Sequence, residues 1–87
     1  MATTVVNLKY DDYDVYTGRG SKWGNPFKIG VDGDRKEVIE KYKHWIRTQP
    51  DLLADLHELK GQRLGCFCKP KICHCDILAK LADLLVA

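Results

Sequence analysis

Near the C-terminal end of the chain, five thiol or imidazole side chains fall within ten residues. The segment 66–76 reads Cys-Phe-Cys-Lys-Pro-Lys-Ile-Cys-His-Cys-Asp. Thiols and imidazoles serve as nucleophiles, as general acids and bases, and as ligands of soft metal ions. Three roles therefore compete for this segment: the wall of an anion-binding pocket, a closed metal site, or packing in the core.

The first role is a pocket wall. A helix that begins near Cys73 would leave its first backbone N–H groups unpaired, and its dipole would favour an anion there. Lys69 and Lys71 would add positive charge. A thiol at such a helix start has a lowered pKa, so Cys73 is predicted to be a thiolate near neutral pH. In an enzyme, Cys73 or His74 would act as the nucleophile or the general acid and base, with Asp76 as the orienting group.

The second role is a metal site. Four sulfur or nitrogen ligands suit zinc, and an iron–sulfur cluster is a variant of the same arrangement. The spacing is a poor match, because structural zinc sites usually draw two ligand pairs from separated segments. In the third role Cys66 is a core residue, since free cysteine packs like a small hydrophobe. The candidate metal ligands are Cys66, Cys68, Cys73 and either His74 or Cys75.

The glycine-rich segment 18–27, Gly-Arg-Gly-Ser-Lys-Trp-Gly-Asn-Pro-Phe, is the second place where chemistry is expected. Glycines let backbone amides approach a ligand, and Arg19 has the fork geometry that pairs with phosphate or carboxylate. Trp23 could stack on a flat ring, and Asn25 could bind a base or amide edge. This combination suits a nucleotide-like compound. The structural alternative is that Trp23 and Phe27 pack on the core while the glycines only form turns.

An α/β domain is predicted to position both segments. We expect a small Rossmann-like domain of two or three layers, with a short, mostly parallel sheet and about three helices. Strands 4–8 and 63–67 should be parallel neighbours. Ligands of open α/β sheets bind beyond the carboxyl ends of the strands, so segments 18–27 and 66–76 should meet over one cavity. The predicted strands are 3–8, 14–17 and 63–67, with a brief strand at 27–29, and the predicted helices are 34–48, 50–60 and 73–86.

The helix predictions rest on caps and on apolar stripes. Asp34 stands at an N-cap position with Glu37 three residues later, an acidic form of the capping box. Pro50 suits the first turn of the second helix, and Gly61 ends that helix. Apolar residues at helical spacing should form one buried face on each helix. The predicted stripes are Val38, Ile39, Tyr42, Trp45 and Ile46; Leu52, Leu53, Leu56 and Leu59; and Ile77, Leu78, Leu81, Leu84 and Leu85.

The composition is that of a small globular protein. Eighty-seven residues allow one domain, 1–87, and 45% hydrophobic with 30% charged residues is ordinary for a soluble fold. The net charge of +2 is far below the basic excess of a dedicated nucleic-acid module. No apolar run approaches a membrane span and no signal-peptide layout is present, so we predict a cytoplasmic protein. Four cysteines fit a reducing compartment, and a homodimer would improve the surface-to-volume ratio.

These motifs together resemble a family of small phage and bacterial proteins, the domain of unknown function 4326. The matching stretches are VVNL at 5–8, GRGSKWGNPF at 18–27, EVIEKYKHWI at 37–46 and LKGQRLGCFCKPKICHCDIL at 59–78. The family's usual pattern is C-H-G-D, and Cys75 here replaces the glycine, which weakens any metal site that needs Cys75. The resemblance implies a compact α/β fold and a phage origin, and it supplies no activity. It also implies a site formed by Arg19, Lys22, Trp23, Asn25, Cys68, Cys73, His74 and Asp76.

The principal hypothesis is a phage-encoded protein of the host cytoplasm that binds a nucleotide-derived or phosphate-bearing small molecule. It would either sequester or hydrolyse that ligand. The first alternative is a zinc- or iron–sulfur-stabilised interaction module, and the second is nucleic-acid binding through one basic patch. The predicted ligand contacts are Arg19, Lys22, Trp23, Gly24, Asn25, Cys68, Lys69 and His74. Hydrolysis would use Cys73, His74 and Asp76, the metal would bind Cys66, Cys68, Cys73 and His74, and nucleic acid would contact Arg19, Lys22, Lys28, Lys69 and Lys71.

Overall fold

Three short parallel strands form the sheet in this computed structural model, which describes residues 2–69 and 71–86. The strand order is β1-β3-β2, and both outer strands run parallel to β3. The prediction that the first and last strands are parallel neighbours is therefore confirmed, and so is the α/β class with three helices. The elements are β1 Thr4–Asn7, β2 Val15–Tyr16, α1 Arg35–Ile46, α2 Pro50–Ala54, β3 Arg63–Cys66 and α3 His74–Leu85.

Helix α3 covers one face of the sheet. Leu64 of β3 is fully buried and belongs to the same apolar cluster as Leu78 and Ala82 of α3. The opposite face at Gly65 is covered by the ring of Tyr13, since a Cβ at Gly65 would lie 2.7 Å from Tyr13 Cγ. This side is covered by a ring and not by a helix. The sequence left two or three layers open, and at β3 the structure has two.

The Rossmann-like character is not confirmed. In a Rossmann fold a helix crosses between successive parallel strands. Here the connection 8–14 between β1 and β2 consists of turns and bends without a helix. All three strands nevertheless end at one edge of the sheet, because they are parallel. That common edge is what brings distant segments of the sequence together.

The capping prediction for α1 is confirmed. Glu37 donates its N–H to Asp34 Oδ1 at 2.9 Å, and Asp34 donates its N–H to Glu37 Oε1 at 3.1 Å. Both bonds satisfy N–H groups that a helix start would otherwise leave unpaired. The buried face of α1 carries Val38, Tyr42 and Ile46.

Three element predictions need correction. The second helix ends at Ala54 and continues as a 3₁₀ turn, Asp55–Glu58. Side chains three residues apart lie on the same side of a 3₁₀ helix, which allows both Leu56 and Leu59 to be buried. The proposed strand at 27–29 is only a single bridge to Gly33. The stripe of α3 is buried only through Ala82, and the last turn projects beyond the core, leaving Leu84 and Leu85 exposed.

Among the described residues, none of the helices combines the length and the apolar character that crossing a bilayer requires.

Candidate functional site

The glycine-rich loop continues directly from β2. Thr17 is fully buried and donates its N–H to Gly65 O at 3.1 Å. Two tight turns follow, in which Ser21 N–H donates to Gly18 O at 3.2 Å and Gly24 N–H donates to Ser21 O at 3.1 Å. A Cβ at Gly24 would lie 3.0 Å from Gly18 O, so a side chain there would force the two turns apart. Gly24 therefore serves the packing of the loop against itself.

Trp23 attaches this loop to the core. Its side chain is 2% exposed and lies in the same apolar cluster as Ile46 and Leu78. Its carbonyl oxygen accepts a hydrogen bond from the buried hydroxyl of Tyr42 at 2.8 Å. The prediction that Trp23 stacks on a ligand therefore needs correction, because the ring is enclosed by core residues. The structural alternative describes its position.

Asn25 and Lys22 are engaged by the protein itself. Asn25 Nδ2 donates to Val38 O at 3.1 Å, and Asn25 Oδ1 accepts the N–H of Phe27 at 2.9 Å. Lys22 Nζ lies 2.8 Å from Asp55 Oδ2, and this bond raises the pKa of Lys22. The amide of Asn25 thus ties the loop to α1, and the charge of Lys22 is directed to the 3₁₀ turn.

A thiol caps the start of α3. Cys73 Sγ accepts the N–H of Cys75 at 3.3 Å, and Asp76 Oδ2 accepts the N–H of Cys73 at 3.1 Å. Cys73 thus takes the place that serine or threonine usually has in a capping box. Lys69 Nζ pairs with Asp76 Oδ1 at 3.0 Å, which raises the pKa of Lys69. Residues of α3 and its cap therefore accept hydrogen bonds from some of the backbone N–H groups at the start of this helix. The expectation that these groups are free to bind an anion needs correction.

The sulfur atoms of Cys66 and Cys73 lie 3.3 Å apart, and both side chains are buried. Cys73 donates its S–H to Cys66 Sγ, and this bond, with a smaller contribution from Cys75, lowers the pKa of Cys66 from its ordinary 9.0. Donation to Cys66 raises the pKa of Cys73. The pKa of Cys73 is thus shifted upwards, opposite to the lowered pKa that the sequence predicted for this thiol.

His74 links α3 to the end of β2. Its Nε2 lies 2.7 Å from Thr17 O, and a carbonyl only accepts, so Nε2 carries a proton. Burial lowers the pKa of His74, which keeps the ring neutral and leaves Nδ1 with a lone pair. Nδ1 lies 3.9 Å from Cys73 Sγ. The imidazole is thus fixed in one tautomer, with its unprotonated nitrogen beside a thiol.

A cavity of about 590 Å³ opens at the carboxyl edge of the sheet. Arg19, Lys28 and Arg35 line it, and no aspartate or glutamate does so within residues 2–69 and 71–86. Two large apolar side chains on its wall are open to solvent, Phe67 at 63% and Ile29 at 53%. The wall also includes Tyr16, Asn25, Phe27, Cys66, Cys68 and His74. Both segments singled out from the sequence line this cavity, together with the start of α1.

The predicted site residues divide into two groups. Those on the cavity wall are Arg19, Asn25, Cys66, Cys68 and His74. Those that lie elsewhere in the described structure are Lys22, Trp23, Gly24, Lys69, Cys73 and Asp76. The first group offers one cation, and the second is used for packing, capping and ion pairs.

Arg35 is the cavity residue that sequence reasoning missed. It occupies the first position of α1, and its Nη1 donates to Ile72 O at 3.2 Å, which joins α1 to the segment before α3. A cation in the first turn of a helix opposes the helix dipole, so this position breaks a local rule. Such a break was the available signal, because locally unfavourable residues concentrate at functional sites. Lys28 was predicted only as part of the nucleic-acid patch, and Tyr16 and Phe67 carried no comparable signal.

Comparison with known proteins assigns the chain to a family. Residues 4–84 match the family described as Domain of unknown function (DUF4326). The chain belongs to this family. The resemblance inferred from the W-G-N-P-F and C-x-C…C-H motifs is thereby confirmed.

Two relatives of this DUF4326 protein come from viruses. The chain is 43% identical over 86 residues to the "Uncharacterized 12.4 kDa protein in nrdA-td intergenic region" of Enterobacteria phage T4, covering 93% of this chain and 78% of the relative. It is 36% identical over 90 residues to "Uncharacterized protein R718" of Acanthamoeba polyphaga mimivirus, covering 83% of this chain and 68% of the relative. The expected link between this family and phage is supported. No solved structure gives a significant match.

Proposed function

We propose that this chain binds a small phosphate-bearing, nucleotide-like molecule in the cavity at the carboxyl edge of its sheet. The observation that carries the proposal is the charge of the wall, where Arg19, Lys28 and Arg35 face no carboxylate among the described lining residues. The guanidinium of Arg19 and the ammonium of Lys28 make no ion pair within residues 2–69 and 71–86. Uncompensated cations around a concave space favour an anion there.

The apolar part of the wall suits a flat ring. Phe67 and Ile29 expose most or half of their side chains beside the cations. Covering apolar surface of this kind is favourable by roughly 25 cal/mol per Å² removed from water. The anionic end of such a compound would pair with the two arginines, and its planar end would cover Phe67. Phe67 would then have the stacking role that the sequence predicted for Trp23. The cavity volume of about 590 Å³ lies within the range of small-molecule sites, roughly 300–1,000 Å³.

The structure favours a binding function over a reaction in which Cys73 is the nucleophile. The Cys73 thiol is 2% exposed and caps α3, and the Asp76 carboxylate is shared between that cap and Lys69. Neither group faces the cavity in the described structure. We therefore propose a binder that sequesters its ligand and needs no reactive thiol. Nucleic-acid binding is less favoured, because two of the five cations of that patch, Lys22 and Lys69, are already paired with carboxylates.

Isothermal titration with adenosine 5′-monophosphate, adenosine and inorganic phosphate tests the proposal. The wild-type chain should bind the monophosphate at least about tenfold more tightly than adenosine, because a charge-assisted hydrogen bond contributes roughly 1.5–3 kcal/mol. Arg19→Ala and Arg35→Ala should each weaken monophosphate binding by roughly ten- to a hundredfold. Arg47→Ala is the matched control, because Arg47 is exposed at the end of α1 and lines a different groove.

Two results would contradict the proposal. One is equal affinity for the monophosphate and for adenosine, or no binding of either. The other is tighter binding of a short single-stranded oligonucleotide than of the monophosphate, with an affinity that falls steeply with salt, which would support the nucleic-acid alternative.

A further inference from the structure

The thiol segment has a second property, independent of the cavity's charge. The ligand atoms of Cys66, Cys68 and Cys73 all lie within 4.8 Å of one another. Tetrahedral zinc with Zn–S bonds of about 2.3 Å separates two thiolates by roughly 3.8 Å. The closest pair, Cys66 and Cys73, is 3.3 Å apart, so the sulfurs already converge on a space of the right size. Packing alone does not require that three sulfurs from the two sides of a turn lie this close together.

The turn that carries Cys66 and Cys68 is tied to β1. Asn7 holds this turn from β1, donating Nδ2 to Lys69 O at 2.8 Å. The turn thus presents Cys66 and Cys68 from one piece of chain that is anchored to β1.

His74 Nδ1 is the candidate for a fourth donor. Metal-bound histidine almost always donates its other ring N–H to a carbonyl or carboxylate. In this structure Nε2 lies 2.7 Å from Thr17 O, and Nδ1 lies 3.9 Å from the sulfur of Cys73. The tautomer and the orientation by a backbone carbonyl are therefore those of a bound imidazole. Within 4.8 Å the ring groups with Cys73 and Cys75 and not with all three sulfurs of the set, so it would have to move towards Cys66 and Cys68 when the ion binds.

We infer that the chain binds one zinc ion through Cys66, Cys68, Cys73 and His74 Nδ1. Three soft thiolates with one imidazole form a donor set that tetrahedral zinc prefers. On binding, Zn²⁺ would coordinate the three sulfurs as thiolates, the protons that the thiols carry would pass to solvent, and one Zn²⁺ with three thiolates would carry one net negative charge. Lys69 follows Cys68 in the chain, and its ammonium pairs with Asp76. The ion would fix the segment before α3 and, with it, this side of the cavity. Zinc binding would be independent of which ligand the cavity takes.

Cys75 is left out of the proposed set, although its sulfur lies within 4.8 Å of the ligand atoms of Cys73 and His74. Its side chain is buried, and its sulfur lies 2.8 Å from Thr17 Oγ1. It therefore belongs to the contact between α3 and the end of β2. Cys75→Ser preserves a polar partner for Thr17 and provides a matched control for the ligand variants.

The test is metal analysis of the purified full chain, by elemental mass spectrometry and by titration of the metal-free protein with Zn²⁺ and Co²⁺. We expect about one zinc per chain and a Co²⁺ complex with the thiolate charge-transfer and intense visible bands of a tetrahedral site. Cys68→Ser should weaken zinc binding at least roughly a hundredfold, since even outer contacts change affinity by 10–100-fold. Cys75→Ser should bind zinc like the wild type. Cys68 is only half-buried, so its variant is the one most compatible with folding, which circular dichroism checks.

Several outcomes would overturn the inference. They are less than a tenth of an equivalent of zinc after reconstitution, iron in place of zinc, an octahedral Co²⁺ spectrum, or equal losses in Cys68→Ser and Cys75→Ser. Unchanged zinc affinity in His74→Ala would overturn the four-ligand set. The wild-type Co²⁺ spectrum keeps the test valid if a variant does not fold. A chain that binds zinc but not the monophosphate would support this inference and contradict the proposed function, so the two can fail separately.

Discussion

The hydroxyl of Tyr42 is predicted to hold the glycine-rich loop in place, and Tyr42→Phe tests this. The substitution removes the donor to Trp23 O, a bond of 2.8 Å between buried groups, without removing the ring. No other donor to that carbonyl is present in the described residues. Because a buried acceptor left unpaired costs its desolvation, the free energy of unfolding should fall by about 1–3 kcal/mol.

The assay is urea denaturation followed by tryptophan fluorescence, with Tyr10→Phe as the control. Tyr10 is 77% exposed, so its change should stay within about 0.5 kcal/mol of wild type. In thermal unfolding, 1 kcal/mol corresponds to a shift of about 4–8 °C for a domain of this size. A loss below 0.5 kcal/mol in Tyr42→Phe, or equal losses in the two variants, would refute the role of this bond. Monophosphate binding should also weaken in Tyr42→Phe, because Arg19 lies on the same loop.

Three further predictions concern packing, capping and pH. Gly24→Ala should destabilise the chain by about 1–3 kcal/mol in thermal or urea unfolding, because its Cβ would meet Gly18 O at 3.0 Å; an unchanged midpoint would contradict the tight loop. Asp34→Ala should cost about 1 kcal/mol through the lost N-cap, and helicity by circular dichroism should fall slightly; equal stability would mean the cap is not formed in solution. Arg63 lowers the pKa of Asp14 below 3.8. The ion pair between them therefore stabilises the folded state fully above pH 3.8, and this stabilisation is lost as the pH falls through the folded-state pKa of Asp14. Asp14→Asn should therefore be less stable than wild type at pH 7 and should show a smaller loss of stability below pH 3.8, as measured by denaturation at several pH values; parallel pH profiles would contradict the pairing.

Much of the fold could be predicted because its signals are local. The N-cap at Asp34 and the helical spacing of apolar residues in α1 and α3 each lie within a few residues of the element they define. The parallel pairing of β1 with β3 followed from the order of the elements. The exposed Leu84 and Leu85 could not be predicted, because periodicity does not show where the core that a helix covers comes to an end.

The site was predicted less completely, for a physical reason. The residue types in the glycine-rich loop do not show which side of the loop faces the core, and Trp23 turned inward because a large apolar ring gains most from burial. Arg35 reaches the cavity because α1 lies beside the segment that precedes α3, and its unfavourable place in the first turn of α1 marks the residue without showing that contact. The ionisation of the thiols likewise depends on which sulfur receives the hydrogen bonds, and this requires the geometry of Cys66 and Cys73.

The most direct test of the central claim is a crystal structure of the chain grown with adenosine 5′-monophosphate. We predict density for one nucleotide at the carboxyl edge of the sheet, with its phosphate within hydrogen-bond distance of Arg19 or Arg35 and its base against Phe67. A nucleotide bound on another surface, or a cavity filled only by solvent at saturating nucleotide, would contradict the claim.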